Sequence, residues 1–178
     1  MARKSFFLWV SVLWFLELVA PCRAAESTKI YTNRYFLYSV DHPETWRAKE
    51  AGKVSAFYSP LQSPEDKFAE NVQIVVEDLS GVPAEVTLVD YHRKGVASAK
   101  KFLTDFKSLE EVTTQLDGRE TIVMVYSAAM RGKNFKFKDY KFMIDRTAYV
   151  LTYTAQAADF DTYLPSAERL IRSLRASP

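Results

Sequence analysis

His42 and His92 are the two histidines of the chain, and Cys22 is its one cysteine, so the inventory for bond-making chemistry is short. A zinc site needs three or four His, Cys or carboxylate ligands at close spacing, and neither an HxxxH nor an HExxH pair is present. A serine nucleophile calls for a Gly-x-Ser-x-Gly elbow and a histidine to activate it; the elbow is missing. Five glycines in all supply no phosphate-cradling loop. His42 reads as a turn side chain in Asp41-His42-Pro43, and His92 as a helix-edge side chain beside Val96, each with a local hydrogen bond. Asp159 and Asp161 could ligate calcium weakly, although capping of the last helix explains the same pair. Glu65-Asp66, Glu77-Asp78 and Glu110-Glu111 are adjacent pairs, which a strand sends to opposite faces, so they make poor shared acid-base sites. No catalytic residue, metal ligand or cofactor site is predicted, and the expectation is a protein that is not an enzyme.

Two segments could instead bind. In "RGKNFKFKDYKF", Arg131 to Phe142, the lysines Lys133, Lys136, Lys138 and Lys141 surround Phe135 and Phe137. Tyr140, Phe142 and Ile144 have the opposite parity, which calls for a bulge near Asp139 or for a tip that shows both phenylalanines to solvent. Such a tip would dock on an acidic protein partner or an anionic membrane surface; the other reading is a solvated edge guarded by lysines. The second segment, Ser59 to Glu70, carries Pro60 and Pro64 and no period, and is either a binding loop or an ordinary crossover.

The first residues set the compartment. Arg3 and Lys4 precede the apolar run Ser5 to Leu16, which is shorter than the roughly 20 residues that span a bilayer. With Pro21 as a helix breaker and Cys22-Arg23-Ala24 placing small residues before Ala25, the segment 1–24 reads as a secretory signal peptide cut between Ala24 and Ala25. Lipoprotein processing at Cys22 is the alternative, with Pro21 where a small residue is wanted. The 24 basic and 22 acidic side chains lose three and one with the leader, so the mature chain is neutral and no nucleic-acid partner is expected. A secreted or periplasmic protein follows, membrane-associated only peripherally or through a lipidated Cys22.

These residues need elements to hold them. Tyr35–Val40 alternates as a first strand after a short lead, 25–34, and Val54–Ser59 and Asn71–Asp78 follow as strands. Thr87 and Asp90 form a capping box for a helix whose stripe is Leu88, Tyr91, Gly95, Ala99 and Phe102, with Gly95 marking a close approach. Glu111–Leu116, Asp117-Gly118 and Arg119–Met130 form a hairpin. "TIVMVY" is apolar at both parities and is expected at the centre of a sheet covered on both faces. Asn134–Ile144 and Ala148–Ala155 are further strands. Phe160, Leu164, Ala167, Ile171 and Leu174 mark a closing helix that Pro165 should break or restart. The class is α+β, with helices on a mainly antiparallel sheet, in one domain over 35–178.

"YSVDHPETW", "AFYSP", "NVQIVVEDL" and "AYVLTYTAQAADFDTYLP" resemble, in this order and spacing, the PsbP family, most of all its bacterial and cyanobacterial PsbP-like members. The resemblance runs from about Tyr35 to Leu174 and implies an αβα sandwich that works by binding. In that family PsbP is an extrinsic photosystem subunit that helps retain calcium and chloride, a relative binds the GTPase Ran, and bacterial members are periplasmic proteins or lipoproteins. The sequence departs from the photosynthetic pattern, because only Ala25 to Arg34 precede the first expected strand and the leader is of a plain bacterial type. The resulting expectation is an extracytoplasmic binding or assembly domain with a protein partner at the envelope. The alternative is an accessory protein that binds a small molecule or calcium between sheet and helix, with a photosystem role if the host photosynthesises.

Overall fold

Strand-forming runs dominate the chain between Thr28 and Gln156, and each finds antiparallel neighbours. The computed structural model describes residues 26–176, so the expected cleavage at Ala24 and Ala25 and lipidation at Cys22 lie outside the described residues. In chain order the elements are β1 (Thr28–Asn33), β2 (Tyr38–Pro43), β3 (Arg47–Ala51), β4 (Val54–Tyr58), β5 (Asn71–Asp78), α1 (Leu88–Phe102) and β6 (Thr104–Leu116). They continue with β7 (Arg119–Met130), β8 (Lys133–Ile144), β9 (Thr147–Gln156), α2 (Phe160–Arg172) and β10 (Arg175–Ala176). A seven-stranded sheet runs β3-β4-β5-β9-β8-β7-β6, and a three-stranded one runs β1-β2-β10.

Alternation along the long strands divides the molecule into two cores. Ile74, Val123, Tyr140, Phe142, Leu151 and Tyr153 face α2, whose Phe160, Ala167, Leu170 and Ile171 meet them together with Tyr38 and Val40 of β2. Phe57, Ile74 and Leu151 are fully buried there, each contributing about 1.5–3 kcal/mol by removal of apolar surface from water. On the opposite face a smaller cluster of Met124, Tyr126, Ala128, Phe135 and Phe137 lies under Val96, Leu103, Phe68 and Phe106. Helices on both faces of an antiparallel sheet make the αβα sandwich of the α+β class.

Several boundaries differ from expectation. β1 falls within the segment read as a lead: its "TKIYTN" has little apolar alternation, and it pairs with β2 while Tyr31 sets its ring edge-on to Phe57 at 5.1 Å. β3 is exposed throughout and is held as an edge strand by its pairing with β4, which leaves no hydrophobic signature. β7 is covered on both faces, yet it stands second from the edge, and β9 takes the centre. Pro165 does not break α2; it and Asp161, whose carbonyl loses its amide donor there, are both exposed residues. The hairpin turns match the sequence reading, with Asp117-Gly118 and Arg131-Gly132 each a pair of left-handed residues.

Candidate functional site

α1 begins on a complete capping box: the Asp90 amide donates to Thr87 Oγ1 at 3.2 Å, and the Thr87 amide donates to Asp90 Oδ2 at 3.2 Å. The Thr87 side chain, then its backbone, holds the Asp90 carboxyl below its ordinary range. From that start the helix lies across β6, β7 and β8, rotated from the expected stripe. Its buried residue is His92, with Val96 and Leu103 packed below, whereas Phe102 is 83% exposed. His92 Nε2 is 3.2 Å from Glu111 Oε2 but without the alignment of a hydrogen bond, and neither ring nitrogen has a partner among the described residues. Gly95 is not squeezed: a Cβ there would meet only Lys141 Cε, at 3.9 Å.

Rotation of α1 leaves a cavity of about 440 Å³ between its first turns and the sheet, within the range of small-ligand sites. Val75, Val150 and Lys141 are register partners on β5, β9 and β8 and form its floor. Tyr91, Lys94 and Gly95 of α1 form one wall, and the connection from β5 to α1 supplies Leu79, Val82 and Val86 as another. That connection is pinned by Arg146, whose guanidinium donates to the carbonyls of Leu79 at 2.6 Å, Pro83 at 3.1 Å, Ala84 at 3.2 Å and, more closely, Val82. One side chain thus holds that connection in place by satisfying carbonyls that belong to neither helix nor sheet.

Four polar side chains, Glu77, Tyr91, Lys94 and Lys141, interrupt the apolar lining. Tyr91 donates its hydroxyl to Glu77 Oε2 at 2.7 Å; burial, then that carboxylate, pushes the phenol far up, so it stays a donor. Lys141 is buried and donates to Asp139 Oδ2 at 2.8 Å, and Asp139 is also buried with its Oδ1 unpartnered. Tyr126 lies near enough that burial and the Asp139 charge raise its phenol strongly. Lys94 enters none of the ion pairs among the described residues.

The residues expected to form a basic aromatic tip are dispersed. Phe135 and Phe137 are buried, Phe135 edge-on to Phe68 and Phe137 stacked on Tyr126, each at 4.7 Å between ring centres. β8 pairs without interruption on both sides, so no bulge exists; the parity change reflects two cores, Phe135 and Phe137 facing one and Tyr140 and Phe142 the other. Lys133 donates to Gln156 Oε1 at 3.2 Å, Lys136 Nζ sits 4.3 Å above the Phe160 ring, and Lys138 pairs with Glu168. Lys141 belongs to the cavity. Phe135 and Phe137 therefore form no exposed tip, and of the four lysines Lys133 is exposed, Lys136 and Lys138 are half-buried and Lys141 is buried.

None of the remaining candidates lines the cavity. His42 is buried, Nδ1 2.8 Å from the Pro43 carbonyl. Asp159 precedes α2 without a side-chain capping bond, so capping does not account for it, and among the described residues no group of three or more possible metal ligands gathers. The Ser59–Glu70 segment is closed at its base, where the Ser59 amide donates to the Glu70 carbonyl at 2.8 Å, and Phe68 anchors it on Phe135. Glu70 is wholly buried with its carboxyl pushed up by burial, a feature the sequence reading missed because nothing around it marks a core position.

A seven-stranded antiparallel sheet between two helices, with a cavity under one of them, defines the class. The PsbP-like protein model matches residues 23–167, and the chain belongs to that family. Among curated proteins no sequence match is found. Its fold is similar to cyanobacterial PsbP (CyanoP) from Synechocystis sp. PCC 6803, with a TM-score of 0.60 at 14% identity over 89% of this chain and 99% of that one. It is also similar to LpqN of Mycobacterium tuberculosis, described as involved in cell envelope biogenesis, with a TM-score of 0.64 at 14% identity over 88% of each chain. PA94 of Pseudomonas aeruginosa, of unknown function, gives a TM-score of 0.62 at 17% identity over 85% of this chain and 98% of that one. At these identities the likeness shows the fold, not a shared site.

Proposed function

We propose that this protein is a non-enzymatic, extracytoplasmic binding domain that holds a small, largely apolar ligand in the cavity beneath α1. The observation that carries this reading is the cavity itself: about 440 Å³, apolar over most of its lining, with polar groups at only a few points. Dispersal of the Lys133–Lys141 cluster favours this reading over docking through the β7–β8 hairpin. An extracytoplasmic setting is supported by the leader-like segment 1–24 and by the envelope role given for LpqN. Among the described residues no helix is long and apolar enough to cross a membrane.

A neutral apolar fluorophore, N-phenyl-1-naphthylamine, tests the cavity. Its emission is expected to rise and shift to the blue with wild-type protein, and not with Gly95→Leu, which improves helix propensity while placing a side chain in the wall. Absence of enhancement, or enhancement unchanged in Gly95→Leu protein of wild-type circular dichroism, would contradict the reading.

A further inference from the structure

The geometry points to a single-chain amphiphile with one anionic head as the ligand, its chain on Val75 and Val150 and its head at Lys94 and Lys141. This rests on the cavity reading above and adds the ligand's chemistry. The register row Val75, Val150, Lys141 runs from apolar floor to ammonium within three neighbouring strands. Gly95 brings α1 over the end of that row, its Cβ position 3.9 Å from Lys141 Cε, and Lys94 is the next residue in the same wall. Two lysines, one buried and one exposed, thus share the lining of an apolar slot.

Charge decides which head fits. The carboxylate on the lining, Glu77, already accepts from the Tyr91 hydroxyl at 2.7 Å; a cationic head that captured it would strip a half-buried phenol of its partner and stand near two lysines. Lys141 uses one of its three N–H donors on Asp139, so the pair is neutral yet keeps donors for an anion. Lys94 adds a second lysine to the lining, whose one carboxylate, Glu77, is already taken up by the Tyr91 hydroxyl. A charge-assisted contact to a partly sheltered anion is worth about tenfold in affinity. Buried Lys141 also explains itself this way: a sheet position between Ile122 and Val150 holds an ammonium and its counter-carboxylate at a cost in desolvation that an apolar residue would avoid.

The test titrates decanoate, 1-decanol and decyltrimethylammonium, each below its micelle concentration, into isotopically labelled wild-type protein and Lys94→Glu, followed by methyl and amide NMR shifts. Expected is decanoate binding about tenfold tighter than 1-decanol, decyltrimethylammonium weakest, decanoate affinity falling with salt, and the order of the charged ligands reversed in Lys94→Glu. Equal affinities for decanoate and 1-decanol, unchanged in Lys94→Glu, would overturn the head-group assignment while leaving the cavity reading intact. Dihexanoylphosphatidylglycerol binding in place of decanoate would overturn the single-chain assignment. Failure of all ligands, with the naphthylamine still bound, would overturn the inference alone; failure of the naphthylamine as well would remove the cavity reading.

Discussion

Lys141 Nζ lies 2.8 Å from Asp139 Oδ2 on the α1 side of the sheet, two residues apart on one strand and buried with 6% and 7% of their surface exposed. Taking out one partner strands the other in a poorly hydrated place. Asp139→Asn is expected to destabilise the fold by about 3 kcal/mol, and Lys141→Met with Asp139→Leu to leave it unchanged or more stable. Urea unfolding of the three proteins checks this; an Asp139→Asn protein as stable as wild type would mean the pair is solvated.

His92 seats α1 without a hydrogen bond at either ring nitrogen. A buried polar group that lacks a partner costs about 1–3 kcal/mol, so His92→Leu should raise stability by about 1 kcal/mol. Thermal and urea midpoints measure it, and a lowered midpoint would contradict the unpartnered state.

Gly95 has room for a methyl group. Gly95→Ala, whose added methyl meets only Lys141 Cε, is expected to stabilise by about 0.5–1 kcal/mol through helix propensity, and to leave naphthylamine binding in place. Calorimetry of the variant decides it.

Burial raises the Glu70 carboxyl above its ordinary value, so the folded state holds this proton more tightly than the unfolded chain does. The stability it contributes is present below the unfolded carboxylate value and is lost as pH rises through the raised one. Glu70→Gln should therefore flatten the difference: relative to wild type it gains stability as pH climbs from 4 to 7. Urea denaturation across that interval, comparing the two proteins, tests the sign. A difference that runs the other way would mean the folded state favours the carboxylate.

The proposed extracytoplasmic setting calls for a defined mature end. Mass spectrometry of protein from the native host is expected to show Ala25 as the first residue, without acyl mass; an acylated Cys22 would make the protein a lipoprotein, and an intact Met1 would contradict processing.

Much of the sandwich was legible because its long strands alternate. β5, β7 and β9 follow from Val72-Ile74-Val76, "TIVMVY" and "YVLTY", and the hairpins follow from Asp117-Gly118 and Gly132. β1 and β3 were hidden since edge strands need backbone partners more than apolar residues. In β8 the parity of aromatics misled: a strand with a core on each face can hand its apolar positions from one face to the other without changing register. The cavity was not legible at all. Leu88, Tyr91, Gly95 and Phe102 form as good a stripe as His92, Val96 and Leu103, and only packing on Met124, Tyr126 and Phe137 chooses the second, turning Tyr91 and Lys94 toward the gap.

Intermolecular nuclear Overhauser effects from bound N-phenyl-1-naphthylamine to the methyl groups of Val75, Val86 and Val150 test the central claim most directly. Cross-peaks to those three valines, absent in Gly95→Leu, are the predicted result. Cross-peaks instead to exposed Leu109 and Val112 of β6 would contradict it, placing the ligand on an open surface.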